Sequence, residues 1–104
     1  MTRPLAAALM ATALALTGCE QRLSPSAERG RQVFLAQCAT CHGPDPAQAG
    51  PIGPAVKGSS RELLEAKVLR GAYPPGYVPK RPTKVMPPLP ALADDVGALA
   101  DYLR

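Results

Sequence analysis

Five consecutive residues, Cys38-Ala39-Thr40-Cys41-His42, limit what this chain can become more than any other stretch of it. On a helical turn, residues three and four apart share a face. Cys38 and Cys41 therefore point the same way, and His42 points with them. Two thiols and an imidazole at this spacing are the attachment signature of a c-type haem. The thiols reach two vinyl groups on one edge of one porphyrin, and the imidazole comes under the iron as proximal ligand. Two other uses of a Cys-x-x-Cys pair compete. A thioredoxin-like dithiol wants a strand–helix–strand setting, and the chain has no convincing strand run. A structural zinc ion wants four ligands, yet His42 is the single histidine and Cys19 the single further cysteine.

The haem reading also answers a problem of size. A chain of 104 residues allows one domain. Its aromatic side chains are Phe34, Tyr73, Tyr77 and Tyr102, with no tryptophan. So small a chain buries a modest fraction of its surface and needs a further source of stability. A covalently held haem supplies a large apolar core.

The first 18 residues read as an export leader. Arg3 makes a positive start, Pro4 to Leu16 is an apolar Ala/Leu-rich stretch, and small residues follow. The stretch is too short and too soon interrupted for a transmembrane helix. Leu16-Thr17-Gly18-Cys19 resembles a bacterial lipobox, in which the cysteine carries lipid and the leader is cut just before it. The alternative is ordinary cleavage after Ala13-Leu14-Ala15, which leaves Cys19 as an odd thiol in an oxidising compartment. Acylation explains the third cysteine, and the lipid pattern it implies is enough hydrocarbon for stable anchoring. The expected layout is leader 1–18, lipidated Cys19 with a tether to residue 23, and a domain over 24–104. Its place is the periplasm-facing side of a bacterial envelope membrane. Glu20 does not say which membrane.

Charge is a weaker guide than it first looks. The formal net charge is +4. Loss of Arg3 with the leader lowers it to +3, and two ionised haem propionates bring it to about +1. No block of like charges and no nucleic-acid motif stands out, so nucleic acid is not an expected partner.

Along the domain, Ser24 with Pro25 fits an N-cap followed by proline at the first helical position, with Ser26 as the other possible start. Gly30, Val33, Phe34 and Gln37 then fall at helical spacing, leading into the Cys-x-x-Cys-His run. Gly43 to Gly58 is a loop by its Gly and Pro density. Ser59 with Glu62 forms a capping box for a second helix. Leu63 or Leu64 with Val68 makes its apolar stripe, and Gly71 stops it. Tyr73 to Pro90 holds seven prolines and forms neither a helix nor a central strand. A last helix is expected over about Asp94 to Arg104, with Val96, Leu99, Ala100 and Leu103 on its buried face.

A six-coordinate haem iron needs a second axial ligand. Cleavage at Cys19 removes Met1 and Met10, which leaves Met86 as the only methionine, and there is no second histidine. Val85-Met86-Pro87-Pro88-Leu89-Pro90 has fixed backbone angles, so it can hold a thioether with little ordering entropy left to lose. Met86 as a mere core filler is the competing use. As the sole candidate thioether, Met86 is assigned to the iron with His42. Lys80 and Lys84 are expected to be solvated.

From Ser24 to its end the chain resembles class I bacterial monohaem cytochromes c. The Cys38–His42 motif carries most of that resemblance. Gly30 and Phe34 look like the family's first-helix glycine and aromatic, Met86-Pro87 like its axial methionine segment, and Tyr102 like its last-helix aromatic. Gly53-Pro54 is similar to the loop whose proline carbonyl accepts the Nδ1–H of the proximal histidine. The resemblance implies an all-α small cytochrome c fold, with three main helices and Pro/Gly-rich loops around one covalent haem c. It implies that the first and last helices cross near Gly30 and Gly97, beside Phe34 and Tyr102. The chain departs from the simplest pattern over Tyr73–Thr83, where prolines replace the usual short run before the methionine.

The expected function is one-electron transfer rather than catalysis, with redox proteins such as an oxidase, reductase or dehydrogenase as partners. The domain is either a free carrier or the haem subunit of a larger oxidoreductase. An enzyme or sensor with an open iron position would need distal polar groups from the 70–82 stretch. The anchoring expectation is directly testable. Cys19→Ala is expected to release the haem-loaded protein into the soluble periplasmic fraction, and retention in washed membranes would overturn the lipobox assignment.

Overall fold

The computed structural model describes residues 1–2 and 22–104. Cys19 and most of the expected leader lie outside the described residues. Helix is the regular structure found there: α1 (Pro25–Gln37), α2 (Ala39–His42), α3 (Arg61–Arg70), a 3-10 segment (Pro90–Asp95) and α4 (Val96–Leu103). The all-α expectation is met. The three main helices are α1, α3 and α4, and α2 is the single turn that carries the Cys-x-x-Cys-His motif.

Each boundary has a local cause. The Ser24 hydroxyl accepts from the Ala27 N–H at 3.1 Å, and Pro25 occupies the first turn. Those two features satisfy an orphan donor and remove another. The buried side of α1 is Ala27, Gly30, Val33 and Phe34, at the three- and four-residue spacing of one helix face. α2 ends at Gly43, whose φ of 78° takes the chain out of the helix. Gly71, at φ 64° in the left-handed region, closes α3 as expected.

Two boundaries differ from expectation by a residue or two. Ser60, not Ser59, caps α3, accepting from the Leu63 N–H at 3.1 Å. Ser59 instead donates its hydroxyl to the Val56 carbonyl at 2.5 Å and closes the preceding turn. The two adjacent hydroxyls share the work of leaving the loop and starting the helix. The α-helix at the C-terminus begins at Val96 rather than Asp94. Pro90, with its fixed φ and missing N–H, starts a 3-10 segment that takes Asp94 and Asp95 first.

α1 and α4 form the principal helix pair, and α3 packs against α4 and the 3-10 segment. The crossing is close because Gly30 has no side chain. A Cβ there would run into the Ala98 carbonyl and the Tyr102 Cβ. The expected partner, Gly97, is displaced from the contact. It faces the Arg61 guanidinium, 3.5 Å from where its Cβ would sit. One residue is a rotation of about 100° on a helix, so the backbone of Ala98, not the absence of a side chain at 97, meets Gly30. Phe34 and Tyr102 flank the crossing with ring centroids 5.7 Å apart and planes tilted by 53°. At the rim, Ser26 donates to Asp101 at 2.6 Å and Arg29 pairs with Asp95 at 3.1 Å.

The buried cluster is Val33, Phe34, Leu64, Val68, Val96, Leu99 and Leu103. Each such side chain contributes about 1.5–3 kcal/mol on burial. Among the described residues, no helix is long and apolar enough to cross a membrane.

The two glycines predict opposite outcomes. Gly30→Ala is expected to cost about 3 kcal/mol, because the clash is with backbone. Gly97→Ala is expected to gain up to about 1 kcal/mol from helix propensity. Guanidinium denaturation of the two variants checks the sign of each.

Candidate functional site

The site starts from the way the 43–58 loop is pinned to α2. The Cys41 carbonyl, free at the end of its short helix, accepts from the Ile52 N–H at 3.1 Å and the Gly53 N–H at 2.8 Å. The Gly50 N–H donates to the Gly53 carbonyl at 2.9 Å, and the Val56 and Lys57 N–H groups both donate to Pro46 at 2.9 Å. A Cβ on Gly50 would strike the Cys41 carbonyl and the His42 backbone. A Cβ on Gly53 would lie 2.5 Å from His42 Nδ1. Both glycines are needed for the loop to lie flat on the motif. Gly50 was not singled out from sequence. Its signal was a glycine set between Ala49 and Pro51 in a loop already dense in both residue types.

That pinning brings Pro54 to His42. The buried His42 ring and the Pro54 carbonyl oxygen are 2.8 Å apart through Nδ1. A carbonyl can only accept, so Nδ1 carries the proton and Nε2 carries the lone pair. The imidazole is thereby oriented as a nitrogen ligand with its tautomer set by its other hydrogen bond. The carbonyl role implied for Pro54 has its geometry in the fold.

Cys38 and Cys41 line a cleft against the core. Phe34, Val56, Leu64, Val68, Leu99 and Leu103 supply its apolar wall, and Gly53, Pro54 and Met86 lie along it too. His42 is not among the lining side chains; it lies beside the cleft, beneath Gly53 and Pro54. Met86 is half-buried and packs against the core cluster. The five domain residues expected at the site, Cys38, Cys41, His42, Pro54 and Met86, thus come together in or beside one cleft. Cys19 lies outside the described residues.

The donor set and the wall fit a flat apolar macrocycle. The thiols open into the cleft, the histidine nitrogen is oriented, and Gly53 lets the loop backbone lie against the imidazole. The competing uses of the cysteines fit less well. Burial pushes the Cys38 thiol up to about 11, and the neighbouring Cys41 adds to the rise. A redox dithiol needs the reverse, a thiol whose pKa is lowered. A zinc site needs converging ligands, and among the described residues no three His, Cys, Asp or Glu side chains are grouped to hold a metal ion.

Polar groups reach the cleft from the segment that departs from the simplest family pattern. Tyr73 and Tyr77 stack at 5.3 Å, and Lys67 lies 4.5 Å above the Tyr73 ring. Lys80 donates to the Ala55 carbonyl at 2.7 Å, and Arg81 to the Ile52 carbonyl at 3.0 Å. Lys80 was expected to be solvated. Its side chain is exposed, yet its ammonium is committed to a carbonyl 25 residues away. Local sequence carries no signal for such a distant acceptor.

Gly53→Ala tests the cradle. The added methyl is expected to displace the imidazole and lower stability by about 1–3 kcal/mol. The fraction of chains carrying covalent haem, read as haem absorbance per polypeptide, is expected to fall with it.

Residues 27–104 match the family described as Cytochrome c. The chain is 32% identical over 83 residues to a cytochrome c-553-like protein of Synechocystis sp., a match that covers 79% of this chain and 68% of that protein. No solved structure matches the chain.

Proposed function

Because the chain belongs to the cytochrome c family, we propose that it is a membrane-anchored one-electron carrier whose haem iron is held between His42 and Met86. Membership of the family makes it a haem electron carrier with one covalently attached haem c, working with redox partners. Such a haem supplies an iron that cycles between Fe(II) and Fe(III). The rest of the assignment concerns what this chain does around it.

The observation that carries the reading is the pairing of two loops at one cleft. The 43–58 loop orients His42 through Pro54, and the proline-rich segment brings Met86 to the same apolar wall. His42 offers Nε2, and Met86 offers a thioether. Cys38 and Cys41 fix the macrocycle's edge at the end of α1. An apolar wall of this kind would favour the less charged, reduced state of a bound haem, as thioether ligation would. No open iron position is then needed. Two cations that an open site could use are engaged elsewhere, Lys80 and Arg81 with carbonyls.

The finer assignments follow from the sequence. Lipid on Cys19 would hold the domain at the periplasmic face of a bacterial membrane. Anchoring raises its effective concentration near membrane-bound oxidases, reductases or dehydrogenases. Docking with such partners is small and transient, as redox encounters are.

Met86→Ala tests the ligand pair. In the oxidised protein, the weak far-red band of methionine–iron ligation is expected to vanish, and the reduction potential to fall by on the order of 100 mV. A variant with both unchanged would remove Met86 from the iron.

A further inference from the structure

Residues 73–88 form a strap without regular structure, and six of them are prolines. A proline offers no N–H, so this stretch is short of the donors that hold most loops. Its ends are fastened by backbone. The Ala72 N–H donates to Ala66 at 3.0 Å, and the Leu89 N–H donates to Val68 at 2.6 Å. Between those points the Tyr77 N–H closes a local turn on Pro74. Among the described residues, two hydrogen bonds leave the strap for the rest of the protein. They are Lys80 to the Ala55 carbonyl at 2.7 Å and Arg81 to the Ile52 carbonyl at 3.0 Å.

The acceptors are not scattered. Ile52 and Ala55 flank Gly53-Pro54, the dipeptide that cradles and orients His42. The donors line the same cleft as Met86 and precede it by six and five residues. We propose that Lys80 and Arg81 are positioning residues for Met86. They tie the strap that carries the thioether to the loop that orients the imidazole, and so hold Met86 against exchange for an outside ligand. The inference rests on the reading of Met86 as an iron ligand. Physically, a tie near the middle of the strap shortens the span that must open before the thioether can leave. Both donors are cationic, and charge-assisted bonds are the stronger kind. Both bonds are also exposed, which places each at the weak end of its range. Lys84 is a built-in comparison: a cation on the same strap, exposed, with no such bond among those found.

The test is an imidazole titration of the oxidised haem-loaded protein, following the far-red band. Lys80→Gln and Arg81→Gln are each expected to raise the apparent imidazole affinity about two- to fivefold, and the double variant about tenfold. Without imidazole each variant is expected to keep the band. Lys84→Gln is expected to stay within about twofold of the parent, since it removes the same charge and no tie. A double variant as resistant to imidazole as the parent would overturn the proposal. So would a Lys84→Gln effect as large as that of Lys80→Gln, which would assign the change to charge alone. Met86→Ala separates the two readings. If it lacks the band before imidazole is added, the ligand assignment stands and the titration judges the ties alone. If it retains the band, the ligand assignment fails and the proposal fails with it.

Discussion

The arrangement depends on one carbonyl. The oxygen of Cys41 accepts two consecutive N–H groups, from Ile52 and Gly53, and so folds the loop back over the turn that precedes it. Without that return, Pro54 would have no reason to lie beside His42, and the imidazole would have no fixed tautomer. The chain meets the need cheaply. The carbonyls at a helix end lack intrahelical partners in any case, and the glycines at 50 and 53 let backbone come close enough to use this one.

The helices serve the same cleft from below. α1 and α4 approach until the backbone of Ala98 rests on Gly30, and the side chains around that crossing form the wall. Phe34, Leu99 and Leu103 each belong both to the buried cluster and to the cleft lining. The core is therefore open on one side, and the covalent haem of this family completes it. Ion pairs add little by comparison. Among the described residues they join exposed or half-exposed side chains, where such pairs contribute about 0–1 kcal/mol.

What was legible in the sequence was whatever chemistry fixes by spacing or scarcity. Cys38, Cys41 and His42 could be read because covalent attachment requires that interval. Met86 could be singled out as the candidate because it is the single methionine from residue 24 onward. Gly71 and Ser24 announced helix ends through backbone rules that act within a few residues. The misses share a different cause. Choosing Ser60 over Ser59, or Ala98 over Gly97, depends on where a neighbouring element lies. The role of Lys80 depends on a carbonyl that tertiary structure alone brings near. The delayed start of α4 lay in between: Pro90 was visible, but the sequence does not say whether a proline begins an α-helix or a 3-10 turn.

The α1–α4 crossing has a consequence for the order of events in the life of the chain. Its two helices stand at opposite ends of the domain, so their contact is among the least local that the fold contains, and closing it costs the most loop entropy. A polypeptide made from its N-terminus presents both thiols and the histidine long before Val96, Leu99 and Leu103 exist to close the core behind them. Thioether formation can therefore proceed on an open, accessible segment. The eight-residue α4 packs on α1 and completes the buried cluster from the far end of the domain.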